Sequence, residues 1–313
     1  MPEIDRIGVN ILYNLISQNM ETPTKTKLDV YELITNRIIE RLEAGIIPWQ
    51  QPWTEAGLPQ NLVTGKAYTG INVLLLASMG FARNYFLTFK QIKDLKGSVK
   101  KGEKSIPVIF WKWSEKEDPQ TKEMKKVSMI RYYTVFNVDQ CTGLPEERIP
   151  IIENDGKMDM AELDFIINDM PKRPPIFHKE NEAYYHPVKD FINMPKMNNF
   201  KDTESYWSTL FHELIHSTGH ASRLNRKEIV EKTTFGTEPY SMEELVAEIG
   251  ACYLKSYVGI DKKHFDNNVA YIQHWLQKLR NDKRLIIYSS AKAQRAVDYI
   301  LDVVPVESET VES

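Results

Sequence analysis

Cysteine is scarce in this chain. Only Cys141 and Cys252 occur among 313 residues. Two thiols cannot form the disulfide framework of a small secreted protein, and neither belongs to a C-x-x-C pair that would indicate a structural zinc site. We therefore expect the protein to occupy a reducing compartment, for which the cytoplasm is the simplest choice.

Long apolar runs are also missing. No stretch approaches 18 uninterrupted apolar residues, which argues against a membrane-spanning helix. The N-terminus begins with acidic residues and has no basic segment followed by a long apolar run, so we expect no signal peptide. With 42% hydrophobic and 27% charged residues, the composition is that of a globular protein. The length allows two domains, each with its own core.

Charge is distributed unevenly along the chain. Residues 1–150 contain 20 basic and 17 acidic side chains, whereas residues 151–313 contain 20 and 26. The segment from Lys66 to Arg131 alone holds 14 basic and 6 acidic side chains. A concentrated positive stretch in an otherwise acidic protein favours a polyanionic partner.

Aromatic residues are interleaved with this basic stretch. Positive charge that follows a phosphate backbone, together with rings on which bases stack, is typical of proteins that bind single-stranded nucleic acid. The alternative is that the rings fill a small β core and the lysines only face solvent. The candidate nucleic-acid contacts are Trp49, Trp53, Lys66, Tyr68, Lys90, Lys100, Lys101, Lys104, Trp111 and Trp113.

The most informative motif is H-E-x-x-H, from His212 to His216. Side chains four residues apart lie on one face of a helix, so His212 and His216 can hold one zinc ion, or another divalent transition metal such as Mn²⁺. Glu213 can then activate a metal-bound water for peptide hydrolysis. We predict a helix from Asp202 to Thr218, with Gly219 as a left-handed C-terminal residue. The alternative is an ordinary amphipathic helix with two histidines.

A zinc ion held by two histidines requires a third protein ligand. The metzincin pattern would place a third histidine at position 222, where this chain has Ser222, and His220 lies two residues too early. The competing candidates lie in the segment Ser241–Glu248.

That segment contains Glu-x-x-Ala-Glu and resembles the second signature of the gluzincin metallopeptidases. The resemblance implies that Glu244 is the third ligand and that Glu248 orients one of the ligand histidines. Glu248 and Glu243 remain alternative ligands. The competing interpretation is that Ser241 and Glu244 form a capping box and only begin a helix.

Two further features suit a peptidase cleft. The hydroxyl of Tyr240 could donate a hydrogen bond to a tetrahedral intermediate, although a surface tyrosine would have the same sequence context. The extended segment Asp190–Met194 is our candidate for an edge strand along which a peptide substrate binds.

Periodicity and turn residues predict the remaining elements. Ser114–Lys126 is interpreted as an exposed loop between two strands. The predicted strands cover 107–113, 129–138 and 183–188, and the predicted helices cover 30–42, 70–79, 160–169, 265–279 and 290–301, with a further helix starting at 88.

Several longer motifs resemble the ArdC-type antirestriction proteins, in the family's order and over roughly residues 28–302. They are Ile47–Trp49 together with Pro52–Trp53, then Pro59–Asn72, Phe86–Gln91, Val99–Lys104, Tyr133–Gln140, His212–His220 and Glu243–Glu248. The resemblance implies an N-terminal domain that binds single-stranded DNA and a C-terminal zincin-like domain. It also implies carriage on plasmids or other mobile elements, and protection of incoming DNA from host restriction.

From the resemblance we expect an α+β protein. A small α+β domain that binds single-stranded DNA would precede a mainly helical, gluzincin-type metallopeptidase domain with a short antiparallel sheet. Two other functions stay open, namely a DNA-coating protein with a structural or inactive metal site, and a cytoplasmic metallopeptidase that does not bind DNA. The expected boundaries are 1–26 for a flexible arm, 27–148 for the DNA-binding domain, 149–159 for a linker, 160–304 for the peptidase domain and 305–313 for an acidic tail.

Overall fold

The computed structural model describes residues 29–50, 57–151, 160–231, 238–260 and 269–303. The predicted arm at 1–26, the predicted tail at 305–313 and Trp53 lie outside the described residues, as do residues 152–159 of the predicted linker. Among the described helices, none is both long and apolar enough to cross a lipid bilayer.

In the residues that the structure describes, the N-terminal half combines three helices with strands. Strands β1, β2, β5 and β4 form a sheet in that order, and β3 pairs with β6. Only the β1–β2 pair of the larger sheet is parallel. The elements are α1 (Val30–Glu43), β1 (Gln60–Asn61), α2 (Ile71–Ala77), β2 (Tyr85–Thr88), α3 (Phe89–Asp94), β3 (Ser98–Val99), β4 (Ile106–Glu117), β5 (Met124–Asn137) and β6 (Cys141–Thr142).

Strands β4 and β5 form a long antiparallel hairpin that stays paired from Ile106 opposite Val135 to Glu117 opposite Met124. The prediction of a loop over Ser114–Lys126 is therefore wrong, because only 118–123 connect the strands. Alternating lysines and glutamates can continue an exposed ladder by pairing across it, as Glu115 does with Lys126. The Asp118 side chain closes the turn by accepting hydrogen bonds from the backbone N–H groups of Gln120 and Thr121.

The C-terminal half is mainly helical. Its small sheet has the order β7–β9–β8. The expectation of an antiparallel sheet is wrong, because β7 is parallel and only β8 is antiparallel to β9. The elements are α4 (Met160–Asp169), β7 (Ile176–Phe177), β8 (Tyr184–His186), β9 (Phe191–Asn193), α5 (Thr203–Thr218), α6 (Lys227–Val230), α7 (Glu238–Tyr257), α8 (Val269–Asn281) and α9 (Leu285–Ile300). The mixed α+β class with a mainly helical C-terminal half is confirmed.

The segment Asp190–Met194 is not an edge strand, contrary to our expectation. It contains β9, which lies between β7 and β8. The backbone N–H of Ile192 donates to Pro175 O at 3.0 Å, and that of Met194 donates to Phe177 O at 2.8 Å. Because both sides of β9 are already paired, a peptide cannot add to it.

Buried side chains from the two halves form one continuous cluster rather than two separate cores. Helix α1 packs against α8, and the Tyr253 hydroxyl donates to Gly70 O at 2.8 Å. A smaller cluster around Leu87 and Ile92 lies within the N-terminal half. The apolar face of α1 is thus covered by helices from the other end of the chain, although the domain boundaries themselves stay a prediction.

Candidate metal centre

Helix α5 carries the two motif histidines. The carboxylate of Asp202 caps its N-terminus by accepting from Ser205 N at 2.7 Å. At the other end, Gly219 has φ −74°, so the prediction of a left-handed residue is wrong. Glycine fits there because a Cβ would lie 2.6 Å from Cγ1 of Ile229, where α6 packs closely against the helix end.

His212, His216 and Glu244 converge, because α5 and α7 pack together. The two Nε2 atoms are 3.0 Å apart, and each lies 3.6 Å from a Glu244 carboxylate oxygen. Two imidazoles and a carboxylate are a ligand set of catalytic zinc sites, where tetrahedral bonds of about 2.0–2.1 Å separate the ligand atoms by about 3.3 Å. The observed separations therefore fit a divalent metal ion.

Glu244 lies inside α7, not in a capping box. The helix begins at Glu238, three residues before Ser241, so Ser241 is not the N-cap. This placement removes the competing interpretation of Glu244. It also puts Tyr240 one helical turn before Glu244, where its hydroxyl hydrogen-bonds the Glu244 side chain.

Glu213 and Tyr240 both lie at this site. Glu213 is buried, and its charge acts on both His212 and Tyr240. Burial, followed by the charge and hydrogen bond of Glu244, raises the pKa of Tyr240 to about 12. The tyrosine hydroxyl therefore keeps its proton at neutral pH and can act as a hydrogen-bond donor.

Negative charge dominates the surroundings of the histidines. Burial alone would lower the pKa of His212, yet the hydrogen bond to Glu244 and the charges of Glu248 and Glu213 raise it to about 9. The same carboxylates would attract a divalent cation, which would compete with the proton. For Glu244, burial alone would raise the pKa of the carboxyl group, but its contacts with His212, His216 and Tyr240 lower that pKa below its usual value.

Glu243, predicted only as an alternative metal ligand, contacts the ring nitrogen of His216 that faces away from His212. Its Oε1 lies 3.1 Å from His216 Nδ1, and it is also paired with Arg226. Burial would raise the pKa of Glu243, but Arg226 and His216 hold it below its usual value. Glu248 acts on His212 through its charge, and its orienting role stays a prediction. No motif in the sequence pointed to Arg226.

His220 does not join the ligand group. Its Nδ1 lies 2.8 Å from Ser222 Oγ and 3.8 Å from a carboxylate oxygen of Asp190. In the parts of the chain that the structure describes, the single group of three potential ligands consists of His212, His216 and Glu244. The metzincin alternative is therefore contradicted.

The predicted DNA contacts separate into buried and exposed residues. Trp49 is fully buried, with its Nε1 donating to the Tyr271 hydroxyl at 2.9 Å, and Tyr68 packs edge-to-face on Phe86. Neither ring can stack on a base, so these two predictions are wrong. Trp111 is half-buried, whereas Trp113 is 59% exposed. The five predicted lysines all have exposed side chains: Lys66, Lys90, Lys100, Lys101 and Lys104. Lys100 also donates a hydrogen bond to Asp139 O.

Comparison with known proteins supplies the family context. A family model described as the N-terminal domain of anti-restriction factor ArdC matches residues 28–136, and one described as a zincin-like metallopeptidase matches residues 164–292. DNA primase TraC of Escherichia coli is 33% identical over 305 residues, covering 91% of this chain but only 20% of TraC. The chain thus spans about a fifth of that relative's length. The uncharacterized protein y4eC of Sinorhizobium fredii is 30% identical over 295 residues, covering 90% of this chain and 92% of that protein.

Two solved structures are similar over nearly their whole length. The metal-free structure of antirestriction ArdC from plasmid R388 has 39% identity and a TM-score of 0.71, covering 88% of this chain and 97% of that one. The Mn(II)-bound structure of the same protein has 37% identity and a TM-score of 0.70, covering 88% and 98%. This chain therefore belongs to the ArdC family of antirestriction proteins, with an ArdC N-terminal domain followed by a zincin-like metallopeptidase domain.

Proposed function

We propose that this protein is a divalent-metal-dependent peptidase that binds single-stranded DNA and acts in antirestriction for a plasmid or other mobile element in the bacterial cytoplasm. The observation that carries the proposal is the convergence of His212, His216 and Glu244, with Glu213 buried beside them. Support for the antirestriction role comes from the likeness to R388 ArdC.

His212, His216 and Glu244 would hold the metal through two nitrogens and one carboxylate. This donor set suits zinc, and the Mn(II)-bound structure of R388 ArdC supports Mn²⁺ as a second candidate. When bound, the ion supplies Lewis acidity that makes a water more acidic and polarises a carbonyl oxygen.

The neighbouring side chains then have distinct roles. The Glu213 carboxylate accepts the proton of the attacking water and later delivers it to the nitrogen of the leaving amine. The hydroxyl of Tyr240, which stays protonated, donates a hydrogen bond to the carbonyl oxygen as that oxygen gains negative charge. Glu248 helps to fix the ring of His212.

Peptide binding would use an edge of the small sheet. Because β9 is paired on both sides, the available edge nearest α5 is β8, which packs against that helix. An extended segment of an unfolded protein could pair with β8 and pass close to the histidines.

DNA binding would rest on the exposed lysines and on the β4–β5 hairpin. Lys90, Lys101 and Lys104 are exposed and can contact phosphates, and Trp113 offers a ring for stacking. The similarity to a DNA primase supports a role on DNA. Binding of a fluorescently labelled single-stranded oligonucleotide should weaken steeply as salt rises, because phosphate contacts release counterions.

The decisive variant is Glu213→Gln in the full chain, loaded with Zn²⁺ or Mn²⁺ and incubated with unfolded casein. Losing a general base should slow cleavage by about 10²–10⁴-fold. Metal affinity and oligonucleotide binding should match those of the wild type.

Two results would contradict parts of the proposal. If Glu213→Gln keeps full antirestriction activity, protection comes from coating the DNA and the peptidase role is wrong. If the wild-type protein does not bind the oligonucleotide even at low salt, the protein is a peptidase without a DNA-binding role.

A further inference from the structure

A buried ion pair lies directly behind His216. The Nη2 atom of Arg226 is 2.6 Å from Glu243 Oε1, and its Nε is 2.9 Å from Glu243 Oε2. Both side chains are only 5% exposed. The guanidinium therefore grips the carboxylate at two points and fixes its orientation as well as its position.

The same carboxylate contacts the ring of His216. Glu243 Oε1 lies 3.1 Å from His216 Nδ1. An ionised carboxylate can only accept, so this contact requires the proton of the imidazole to be on Nδ1. The lone pair of His216 Nε2 is then directed towards His212 and Glu244, as a metal ligand requires.

Arg226 also holds the helix that carries His216. Its Nη2 donates to Ile215 O at 2.8 Å, and its Nη1 donates to Thr218 Oγ1 at 2.5 Å. Glu243 belongs to α7, next to the ligand Glu244. One guanidinium thus connects the C-terminal end of α5 to the start of α7, the two helices from which all three ligands come.

We infer that Arg226 and Glu243 are positioning residues of the metal centre, which set the tautomer of His216 and its placement relative to Glu244. This inference rests on the proposed metal site. A buried ion pair gives little net stability compared with apolar side chains of similar volume, so folding alone does not account for the arrangement. What the pair provides is a fixed acceptor for one ring nitrogen.

Arg223 offers a matched control. Its side chain is 1% exposed and forms a two-point ion pair with Asp190, and its Nε donates to Ser217 O at 2.7 Å. Like Arg226, it joins a carboxylate to the end of α5. Unlike Arg226, it contacts neither His216 nor the Glu243 carboxylate that holds the ring of His216.

The experiment compares the full-length wild type with Arg226→Met, Glu243→Gln, Arg226→Lys and Arg223→Met. Zn²⁺ affinity is measured by competition with a chromophoric chelator, the ligand field by the visible spectrum of bound Co²⁺, and stability by thermal unfolding. We expect Arg226→Met and Glu243→Gln to weaken Zn²⁺ binding by about 10–100-fold and to change the Co²⁺ spectrum. Arg226→Lys, which keeps one charged donor to Glu243, should recover part of the affinity.

Arg223→Met should lose stability while keeping the wild-type Zn²⁺ affinity and Co²⁺ spectrum. The inference is overturned if Arg226→Met and Glu243→Gln bind Zn²⁺ as the wild type does, or if Arg223→Met weakens binding equally. If Arg226→Met does not fold, Glu243→Gln, which preserves side-chain size, decides the matter alone. A wild-type protein that binds neither ion would instead overturn the proposed metal site itself.

Discussion

The metal centre and the β4–β5 hairpin use charged side chains in opposite ways. At the metal centre, Arg226 and Glu243 are buried and each polar contact holds a neighbour in place. On the hairpin, the ion pair between Lys125 and Asp118 is short, at 2.6 Å, but the lysine side chain is 55% exposed. Exposed pairs contribute little to stability because solvent screens them, so the charges on the hairpin stay available to a binding partner. Buried charged side chains therefore fix the geometry of the metal centre, whereas exposed ones on the hairpin are available to bind a partner.

Tryptophan shows the same division. Trp49 and Trp113 were both predicted to contact DNA, yet the first is fully buried and the second is 59% exposed. Trp49 packs against Trp275 with ring centroids 5.9 Å apart. Of these two rings, only Trp113 can meet a nucleic acid base.

The largest expected effect is on stability, at the buried ring. Trp49→Ala should lower the free energy of unfolding by about 3–5 kcal/mol, because it leaves a cavity and removes a buried hydrogen bond to the Tyr271 hydroxyl. Trp113→Ala should stay within about 0.5 kcal/mol of the wild type. Urea denaturation measures both, and equal losses in the two variants would contradict the division.

Metal should stabilise the interior and not the hairpin. At a free metal concentration of about 100 times Kd, binding should add about 2.7 kcal/mol to the free energy of unfolding, and a chelator should remove it. Amide hydrogen exchange should show the added protection in α5 and α7. His216→Ala should abolish the gain, and a gain that persists in this variant would mean that the ion binds elsewhere.

The exposed ring should matter for DNA. Loss of base stacking in Trp113→Ala should cost about 1–3 kcal/mol of affinity for a single-stranded oligonucleotide, measured by fluorescence anisotropy. Zn²⁺ affinity should not change. Trp113→Phe, which keeps an aromatic face, should retain much of the affinity, and unchanged binding by Trp113→Ala would exclude the hairpin as the stacking surface.

The smallest expected effect concerns single hairpin lysines. Lys112→Ala should reduce the slope of log affinity against log salt by about 0.7, the value for one phosphate contact with a single strand. Lys122 is the comparison, because it lies in the turn 118–123 beyond the paired part of the hairpin. If Lys122→Ala reduces the slope as much as Lys112→Ala, phosphate contacts are not confined to the paired strands.

The sequence by itself determined the features that depend on local spacing. The i, i+4 histidines and the α4 bounds follow from helical geometry within a few turns. The resemblance of several motifs also identified the family and the position of Glu244. The end of the hairpin was misjudged because its Lys and Glu residues resemble a loop unless their partners on the other strand are known.

The tertiary structure alone decided the features that join distant segments. His216 contacts Glu243, which is 27 residues away in the sequence, and Trp49 contacts Tyr271, which is 222 residues away. Strand β9 is the central strand of its sheet because β7 and β8 pair with its two edges. Sequence patterns report which face of an element is apolar, but not which other element covers that face. Burial, and with it the role of each tryptophan, arginine and glutamate discussed above, is a property of those long-range contacts.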